Sequence, residues 1–388
     1  MTFTLLPVTG KDFVGREKIL KEMLKTLKER ETNIGYVIYG IRRVGKTSIF
    51  KEIQRRFEKE KDIVVIYFSV WDLMNNKLSN FIKEFTATVL ESYRSYLSLE
   101  YKSKNLLKAS LSLLKDIVRN LRVSIKIKDS IEVLLSFDEE RANYDKLVEE
   151  CFNLPEKIAK ETNTKCILLI DEFPSLMDLK QGHKMGENFI RKIRTIHENH
   201  KKTTICISGS IRKTMEVVAF SSVSPFYKQF IPREIKSLEL NDVRTLIKIN
   251  MKNKKLTEEA LEKIYELTQG IPFYIQFIGK KLLASEAKEI DKKEVNKIVD
   301  SFLKEEGNTF FIEMFKNLSD KEQNLIATMA IDDLNSISQI SKVTEEPTNI
   351  ISRYMYYLID KGILKKETKG EYIFVDNMFK NWLISRFG

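Results

Sequence analysis

One segment, Gly40-Ile-Arg-Arg-Val-Gly45-Lys46-Thr47, constrains the fold of this 388-residue chain more than any other part of it. The segment fits the pattern G-x-x-x-x-G-K-[ST] without deviation. It lies between a short apolar strand pattern, 36–39, and a helical pattern that begins at Thr47. The glycines let the backbone wrap around phosphate groups, so that successive N–H groups at a helix N-terminus can donate to their oxygens. We therefore predict a phosphate-binding loop (P-loop) within an α/β fold.

A second motif, Cys166-Ile-Leu-Leu-Ile-Asp171-Glu172, is an apolar strand pattern that ends in two acids. In parallel sheets such acids lie at the carboxyl edge, which is also where a P-loop lies. We predict that Lys46 reaches the β/γ-phosphates, that the Thr47 hydroxyl ligates Mg²⁺ and that Asp171 holds the ion through water. Glu172 would orient and deprotonate the attacking water. The alternative for Asp171 and Glu172 is an ordinary acidic turn after a strand.

The order of the patterns predicts the fold class. Apolar runs at 63–70, 166–170 and 204–207 alternate with helical patterns, which indicates a parallel sheet with crossover helices. Between them, about 75–165 is predicted to be a mostly helical insertion. It has helical patterns at Phe81–Tyr96 and Leu106–Leu121 and an alternating piece at Val123–Asp129.

The C-terminal part has a different character. A helix that ends before Gly270 and restarts at Pro272 predicts an all-α lid. A capping box at Ser319–Glu322 then opens three short helices, which are followed by two β-like runs joined at 368–370. That order predicts a winged helix. We assign 1–236 to the nucleotide-binding core, 237–312 to the lid and 313–388 to the winged-helix domain.

Charged residues beyond these motifs are weaker candidates. The run Ser208-Gly-Ser210 ends the strand at 204–207, and a hydroxyl there could sense the γ-phosphate. Arginines that could stabilise transition-state charge, with surface or structural roles as the alternative, are Arg42, Arg43, Arg212 and Arg233. His197 and His200 lie close on a probable helix, and a solvated helix face is favoured there over a metal site.

Composition narrows the class of protein. The net charge of +11 favours contact with nucleic acid, and a lysine-rich, heat-adapted surface is the equal alternative. No apolar run is long enough to span a membrane, so we expect a cytoplasmic protein without a membrane partner. The three cysteines, Cys151, Cys166 and Cys206, are predicted to be buried reduced thiols.

With these motifs placed, the sequence resembles the archaeal ATPase family within the STAND class of P-loop proteins, which is related to AAA+ proteins. The resemblance covers nearly the whole chain. It is carried by Phe13-Val14-Gly-Arg16-Glu17, by 39–48 with its paired arginines, by Asp171-Glu172-Phe173, by Thr268–Pro272 and by the tail Asp376–Trp382. Members often have an arginine after a Ser-Pro-hydrophobic-Tyr segment. Here Ser224-Pro-Phe-Tyr-Lys228-Gln229 lacks it, which leaves Lys228 or Arg233 to supply that charge.

The resemblance implies Mg-ATP as the ligand and a nucleotide-driven switch, in which ATP bound between core and lid fixes their relative position. Residues expected to contact the nucleotide are Phe13, Val14, Arg16, Gly40, Ile41, Arg42, Arg43, Val44, Gly45, Lys46, Thr47, Ser48, Ser208 and Pro272.

Three functions stay open at this point. The first is an ATPase switch that acts in regulation or on DNA. The second is a DNA-binding, initiator-like regulator gated by ATP, which would use Arg353, Lys361 and the wing lysines Lys365, Lys366 and Lys369. The third is a protein-interaction or self-associating scaffold with slow nucleotide exchange, which the aromatic run Tyr354-Met-Tyr-Tyr357 would suit.

Overall fold

The computed structural model describes residues 3–30, 33–97, 123–210, 215, 226, 229–251, 254–368 and 370–388. The chain divides into two compact units. The core unit consists of Arg16–Gly40 and Lys46–Ile235. The C-terminal unit consists of Ile41–Gly45 and Lys236–Gly388, together with the segment that ends at Gly15. Four sequence predictions lie wholly or mostly outside the described residues: the helix at 106–121, Arg212, the segment 224–228 apart from Phe226, and Lys369.

Strands of the core unit, in chain order, are β1 (Gly35–Tyr39), β2 (Ile63–Ser69), β3 (Lys165–Asp171), β4 (Lys180–Gln181), β5 (His183–Lys184), β6 (Thr203–Gly209) and β7 (Phe230–Glu234). Within the described residues, five of them form a sheet in the order β2-β3-β6-β1-β7, and every neighbouring pair is parallel. The predicted parallel sheet is thus confirmed. The remaining two, β4 and β5, form a short antiparallel pair.

Strand β7 was not predicted from the sequence. It contains Pro232, which has no N–H to donate to a neighbouring strand and therefore reads as a break in a strand pattern. The strand lies at the edge of the sheet, where it pairs with β1 alone among the described strands. An edge strand tolerates proline because one side of its backbone needs no partner strand.

The helices of the core unit are α1 (Glu17–Lys28), α2 (Lys46–Phe57), α3 (Leu78–Ser92), α4 (Ile125–Ser136), α5 (Tyr144–Glu161) and α6 (Gly186–His197). The described part of the predicted insertion is helical, as α3 to α5. The alternating piece Val123–Asp129 is not extended. From Ile125 onward it forms the beginning of α4. Within α4, Ile127 and Ile131 are both buried, and their four-residue spacing places them on one face of the helix.

Helices cover both faces of the middle of the sheet. Every residue of β3 and of β6 is buried, which is typical of parallel strands flanked by helices on each side. One apolar cluster joins these strands to α3, α4, α5 and α6. At its centre the ring of Phe81 stacks on Phe85 and Phe152, and packs edge-on against Phe189.

Helices and strands of the C-terminal unit begin with α7 (Leu240–Asn250), β8 (Lys255–Leu256), α8 (Glu258–Thr268), α9 (Pro272–Ala284), β9 (Glu289–Ile290), α10 (Lys292–Glu305) and α11 (Gly307–Lys316). This part was predicted to be all-α. It is helical except that β8 and β9 form a two-residue parallel pair. The pair is too short to give a periodic pattern in the sequence, which is why the prediction missed it.

The last part of the unit contains α12 (Asp320–Ile331), α13 (Ile337–Thr344), α14 (Thr348–Asp360), β10 (Leu364–Lys366), β11 (Tyr372–Phe374) and α15 (Asn377–Phe387). The predicted capping box is present, since Ser319 and Glu322 each accept the other's backbone N–H. Strands β10 and β11 form an antiparallel ribbon. One apolar cluster runs from α7 through to α15, where Trp382 packs against Gly307. No described helix is long and apolar enough to cross a membrane.

Candidate nucleotide-binding site

Three strand ends meet at the carboxyl edge of the sheet. Strand β3 ends at Asp171 and β6 at Gly209, and the two strands pair in parallel up to Ile170 and Ile207. Strand β1 ends at Tyr39, opposite Gly209. The acids at the end of β3, the hydroxyls at the end of β6 and the start of the P-loop therefore lie side by side, as the sequence motifs predict.

Lys46 is the first residue of α2 and is buried, and its Nζ donates to the carbonyl oxygen of Gly40 at 3.1 Å. The ammonium group thus lies over the beginning of its own loop. Gly45, just before it, has a φ of +99°, a conformation that glycine adopts without a steric penalty. This arrangement places a positive charge and a helix N-terminus together, which is the composition of an anion site.

The carboxylate of Asp171 is almost fully buried and is surrounded by hydroxyl donors. Thr47 Oγ1 donates to its Oδ2 at 2.6 Å, and Tyr67 Oη donates to the same oxygen at 3.0 Å. Ser208 Oγ donates to Oδ1. These three donors satisfy the acceptor groups of a buried carboxylate and orient it toward the first turn of α2. The predicted pair Thr47 and Asp171 is therefore brought into direct contact.

Tyr67 was missed by the sequence analysis. It lies in β2, two residues before Ser69, which is the residue opposite Asp171 in the parallel register. Burial raises the pKa of its phenol, and the negative charge of Asp171 raises it further, so Tyr67 stays a proton donor at neutral pH. The signal was available: alternate residues of neighbouring parallel strands share a face, which puts positions 67, 69 and 171 on one side.

Glu172 is half-buried at the end of β3 and has a φ of +52°, in the left-handed region. Its backbone N–H donates to Ser208 Oγ at 3.1 Å, and its carboxylate accepts from Ser210 Oγ. Non-glycine residues in this conformation cost about 1 kcal/mol or more and need fixed neighbours. Ser208 within β6 and Ser210 just after it supply that support, so Ser208 joins the backbone of Glu172 to the side chain of Asp171.

Two predicted contact segments converge within the C-terminal unit. A side chain at Gly15, which follows Phe13 and Val14, would overlap Leu238 and the Asp242 carboxylate. A side chain at Gly270 would overlap the carbonyl oxygen of Leu238. Both positions have φ near +70°. The opening box and the Gly270–Pro272 segment therefore both pack against Leu238, Gly15 against its side chain and Gly270 against its backbone, and glycine suits both positions.

The paired arginines of the loop behave differently. Arg42 is exposed, whereas Arg43 is half-buried with a φ of +69°. The guanidinium of Arg43 lies over two aromatic rings of the C-terminal unit, 4.2 Å from the centroid of Phe273 and 4.9 Å from that of Phe310. Arg43, a predicted candidate for transition-state charge, is thus stacked on aromatic rings in this structure.

The other predicted residues occupy ordinary positions. Ser48 is half-buried in the first turn of α2, and Arg16 precedes α1. Arg233 forms a bidentate ion pair with Glu22 on α1. This pairing gives Arg233 a partner in its own unit, and Arg212 and Lys228 lie outside the described residues.

The solvated face predicted for His197 and His200 is wrong. Both side chains are buried, with their Nδ1 atoms 3.4 Å apart, and His200 Nε2 lies 3.0 Å from Asn153 Oδ1. Burial lowers the pKa of His197 to about 3 and that of His200 to about 4. His197 is the last residue of α6, and His200 lies beyond the helix, where its ring contacts Asn153 of α5. The exposed Glu198 and Asn199 between them gave the sequence its solvated appearance.

All three cysteines are free and buried, as predicted, and burial raises their pKa well above the usual range. Among the described side chains, no group of three or more His, Cys, Asp or Glu has the arrangement of a metal site. Neither statement bears on Mg²⁺ held through Thr47 and Asp171, because that site needs only two protein ligands.

The chain is similar along most of its length to archaeal proteins described as ATP-binding. It is 24% identical over 382 residues to an ATP-binding protein of Methanocaldococcus jannaschii, covering 93% of this chain and 96% of the relative. A second ATP-binding protein of that organism is 25% identical over 372 residues, with 91% of both chains covered.

Solved structures share the fold. The Walker-type ATPase of Pyrococcus abyssi superposes with a TM-score of 0.65 at 17% identity, covering 99% of both chains. The Aeropyrum pernix ORC2 protein, solved in ADPNP–ADP complexes, gives a TM-score of 0.58 at 12% identity, covering 97% of this chain and 94% of that one. The model of an ATPase domain found predominantly in Archaea matches residues 13–278, and the chain therefore belongs to this archaeal ATPase family.

Proposed function

We propose that this protein binds Mg-ATP at the carboxyl edge of the core sheet and hydrolyses it slowly. The observation that carries the proposal is the hydrogen bond between Thr47 and Asp171, at the start of a helix that opens with buried Lys46. In P-loop ATPases a Ser/Thr of this loop and an acidic strand end are the two protein groups at the metal. The family and the ATP-binding relatives support the same ligand.

The side chains present fit Mg²⁺. This ion prefers hard oxygen ligands and keeps several of its waters, so it needs few protein groups. Thr47 Oγ1 and Asp171 Oδ2 are such oxygens, and Ser208 and Tyr67 hold the carboxylate in place. Bound there, the ion would neutralise charge on the β- and γ-phosphates.

Glu172 is the proposed general base. It follows Asp171 directly, is half-buried, and its carboxylate is held by Ser210. A carboxylate fixed at this edge can orient a water molecule and accept its proton as the water attacks the γ-phosphate. In this proposal Ser208 positions the two acids, since its hydroxyl faces Asp171 and Glu172.

The STAND-type switch is part of the proposal. Ile41–Gly45 of the loop belong to the C-terminal unit, while Lys46 and Thr47 begin α2 of the core unit. Because these residues are continuous in the chain, ATP binding and hydrolysis at the loop are the proposed route to a change in the protein's state.

A second candidate function is binding of double-stranded DNA. Helices α12 to α14 followed by the β10–β11 ribbon have the order of a winged helix, in which the third helix enters a groove. Arg353 on α14 and Lys365 and Lys366 on the ribbon are exposed. Lys361 is less available, because it pairs with the buried carboxylate of Glu322 at 2.7 Å. Tyr356 and Tyr357 are exposed on α14 as well, which would suit a protein partner.

Turnover of ATP by the full-length protein tests both candidates. The measurement compares wild type, Glu172→Gln and Glu149→Gln, an exposed glutamate on α5 that serves as control, with and without duplex DNA. We expect Mg²⁺-dependent turnover in wild type and control, and a loss of about a hundredfold or more in Glu172→Gln with nucleotide binding retained.

The outcomes separate the alternatives. Stimulation by DNA would support the DNA-linked ATPase. A rate that DNA leaves unchanged would favour a switch with a protein partner. Normal turnover in Glu172→Gln would remove Glu172 from the mechanism, and absence of nucleotide binding by the wild-type protein would overturn the proposed function as a whole.

A further inference from the structure

The contacts of Arg43 form a compact cluster within the C-terminal unit. Its guanidinium stacks on Phe273, the second residue of α9, and on Phe310 of α11. The two rings themselves pack edge-on, with centroids 5.5 Å apart. Arginine binds aromatic faces through both charge and planar stacking, and such contacts are strongest where they are shielded from water.

A hydrogen-bonded pair completes the cluster. Tyr274, the residue after Phe273, donates its hydroxyl to Asp376 Oδ2. Asp376 also caps α15, because its Oδ1 accepts the backbone N–H groups of Met378 at 3.0 Å and Phe379 at 3.2 Å. Burial raises the pKa of both Tyr274 and Asp376, and the nearby charge of Arg43 acts in the opposite direction on each.

The backbone of Arg43 gives these contacts a consequence for the loop. Its φ of +69° lies in the left-handed region, which a non-glycine residue adopts only when its surroundings hold it there. Val44, the next residue, is fully buried, while Arg42 on the other side is exposed. The side chain of Arg43 therefore anchors the loop to two aromatic rings of this unit, and the direction of the following N–H groups depends on that contact.

We propose that Arg43 is a positioning residue of the P-loop, and that the cluster of Phe273, Phe310, Tyr274 and Asp376 sets nucleotide affinity through it. The last helix of the chain thereby acts on the phosphate site, since Asp376 both caps α15 and faces Arg43. This inference rests on the proposed nucleotide binding.

A double-mutant cycle on the full-length protein tests the inference. The probe is a fluorescent N-methylanthraniloyl-ADP with Mg²⁺, and the readout is its Kd. Asp376→Asn removes the charge but keeps a good helix cap. Asp291→Asn is the matched control, because Asp291 caps α10 by accepting the N–H of Glu294 at 2.8 Å. Arg43→Lys keeps the charge and loses the planar stacking.

We expect Asp376→Asn to raise the Kd about tenfold, with Asp291→Asn close to wild type. In the Arg43→Lys background, adding Asp376→Asn should change the Kd less than about twofold, because the coupled contact is already lost. Melting temperatures of the nucleotide-free proteins distinguish lost affinity from lost stability. If Asp376→Asn does not fold, Tyr274→Phe enters the same cycle in its place.

Two results would overturn the inference. Additive effects of Arg43→Lys and Asp376→Asn would show that the two residues act separately. Wild-type affinity in Asp376→Asn, with binding abolished in Lys46→Ala, would refute the cluster and leave the proposed nucleotide site intact. Unchanged binding in Lys46→Ala would instead refute the nucleotide site, and the inference with it.

Discussion

Thr47 Oγ1 lies 2.6 Å from Asp171 Oδ2, although 124 residues separate the two positions in the sequence. The contact joins the first turn of α2 to the end of β3, and it makes one hydroxyl and one carboxylate available to the same cation. Because the carboxylate is buried, the geometry of the pair depends on its other donors, Tyr67 and Ser208.

Removing the Thr47 hydroxyl should weaken Mg²⁺-dependent binding specifically. Thr47→Val keeps the shape of the side chain but has no oxygen to offer the ion. We expect the affinity for Mg-ATP to fall about tenfold or more, and the affinity for ATP in excess EDTA to change little. Calorimetric titration under both conditions measures this. Thr245→Val, at an exposed threonine on α7, is the control. An equal loss with and without Mg²⁺ would contradict the assignment.

Tyr67 should matter for the position of Asp171. Tyr67→Phe removes one of the two donors to Oδ2 and leaves the ring in its site, so we expect a loss of stability of about 1 kcal/mol. Turnover should fall several-fold, because the carboxylate is less fixed. Tyr96→Phe is the matched control, since the hydroxyl of Tyr96 donates to the carbonyl oxygen of Lys61, away from the site. Urea unfolding and ATP turnover are the readouts, and unchanged turnover in Tyr67→Phe would refute its role.

Acid should destabilise the fold through the buried histidines. The folded-state pKa values of about 3 for His197 and about 4 for His200 lie below the ordinary value of about 6.5. Between those values the unfolded chain binds more protons, so stability should fall as pH drops from about 6.5 toward 4. Glu156 lies beside them. Its carboxylate accepts the backbone N–H groups of Lys201 and Lys202 and forms an ion pair with Lys160, so other groups already compensate its negative charge.

Thermal unfolding across pH 4 to 7 tests this dependence. The double variant His197→Gln/His200→Gln should show a shallower loss of melting temperature below pH 6.5, even if it is less stable at pH 7. His183→Gln, at an exposed histidine, should keep the wild-type profile. A profile as steep in the double variant as in wild type would assign the acid sensitivity to other groups.

Lysines of the ribbon should contribute to DNA affinity if the C-terminal helices bind duplex. Lys365→Ala/Lys366→Ala removes two phosphate-contacting charges, so the slope of log affinity against log salt should fall by about 2. Lys292→Ala/Lys293→Ala, an exposed pair at the start of α10, is the matched control for net charge. Fluorescence anisotropy over a salt series gives the slopes. Equal losses in the two double variants would indicate attraction by net charge without a defined surface.

Local sequence patterns were sufficient for much of this protein. The P-loop, the acidic strand end, the parallel core strands and the capping box at Ser319 each depend on residues close together in the chain, where periodicity and turn chemistry act directly. Thr47 and Asp171 could be paired in advance because parallel strands bring their carboxyl ends to one edge of a sheet.

Tertiary structure decided what local patterns do not contain. Whether His197 and His200 face solvent depends on the helix packed above them, and Pro232 is acceptable in β7 only because that strand lies at an edge. The roles of Tyr67 and of Arg43 likewise depend on partners 104 and more than 200 positions away, Asp171 and Phe273. Burial and long-range contact are properties of the assembled core, because a side chain's environment is set by every element that packs against it.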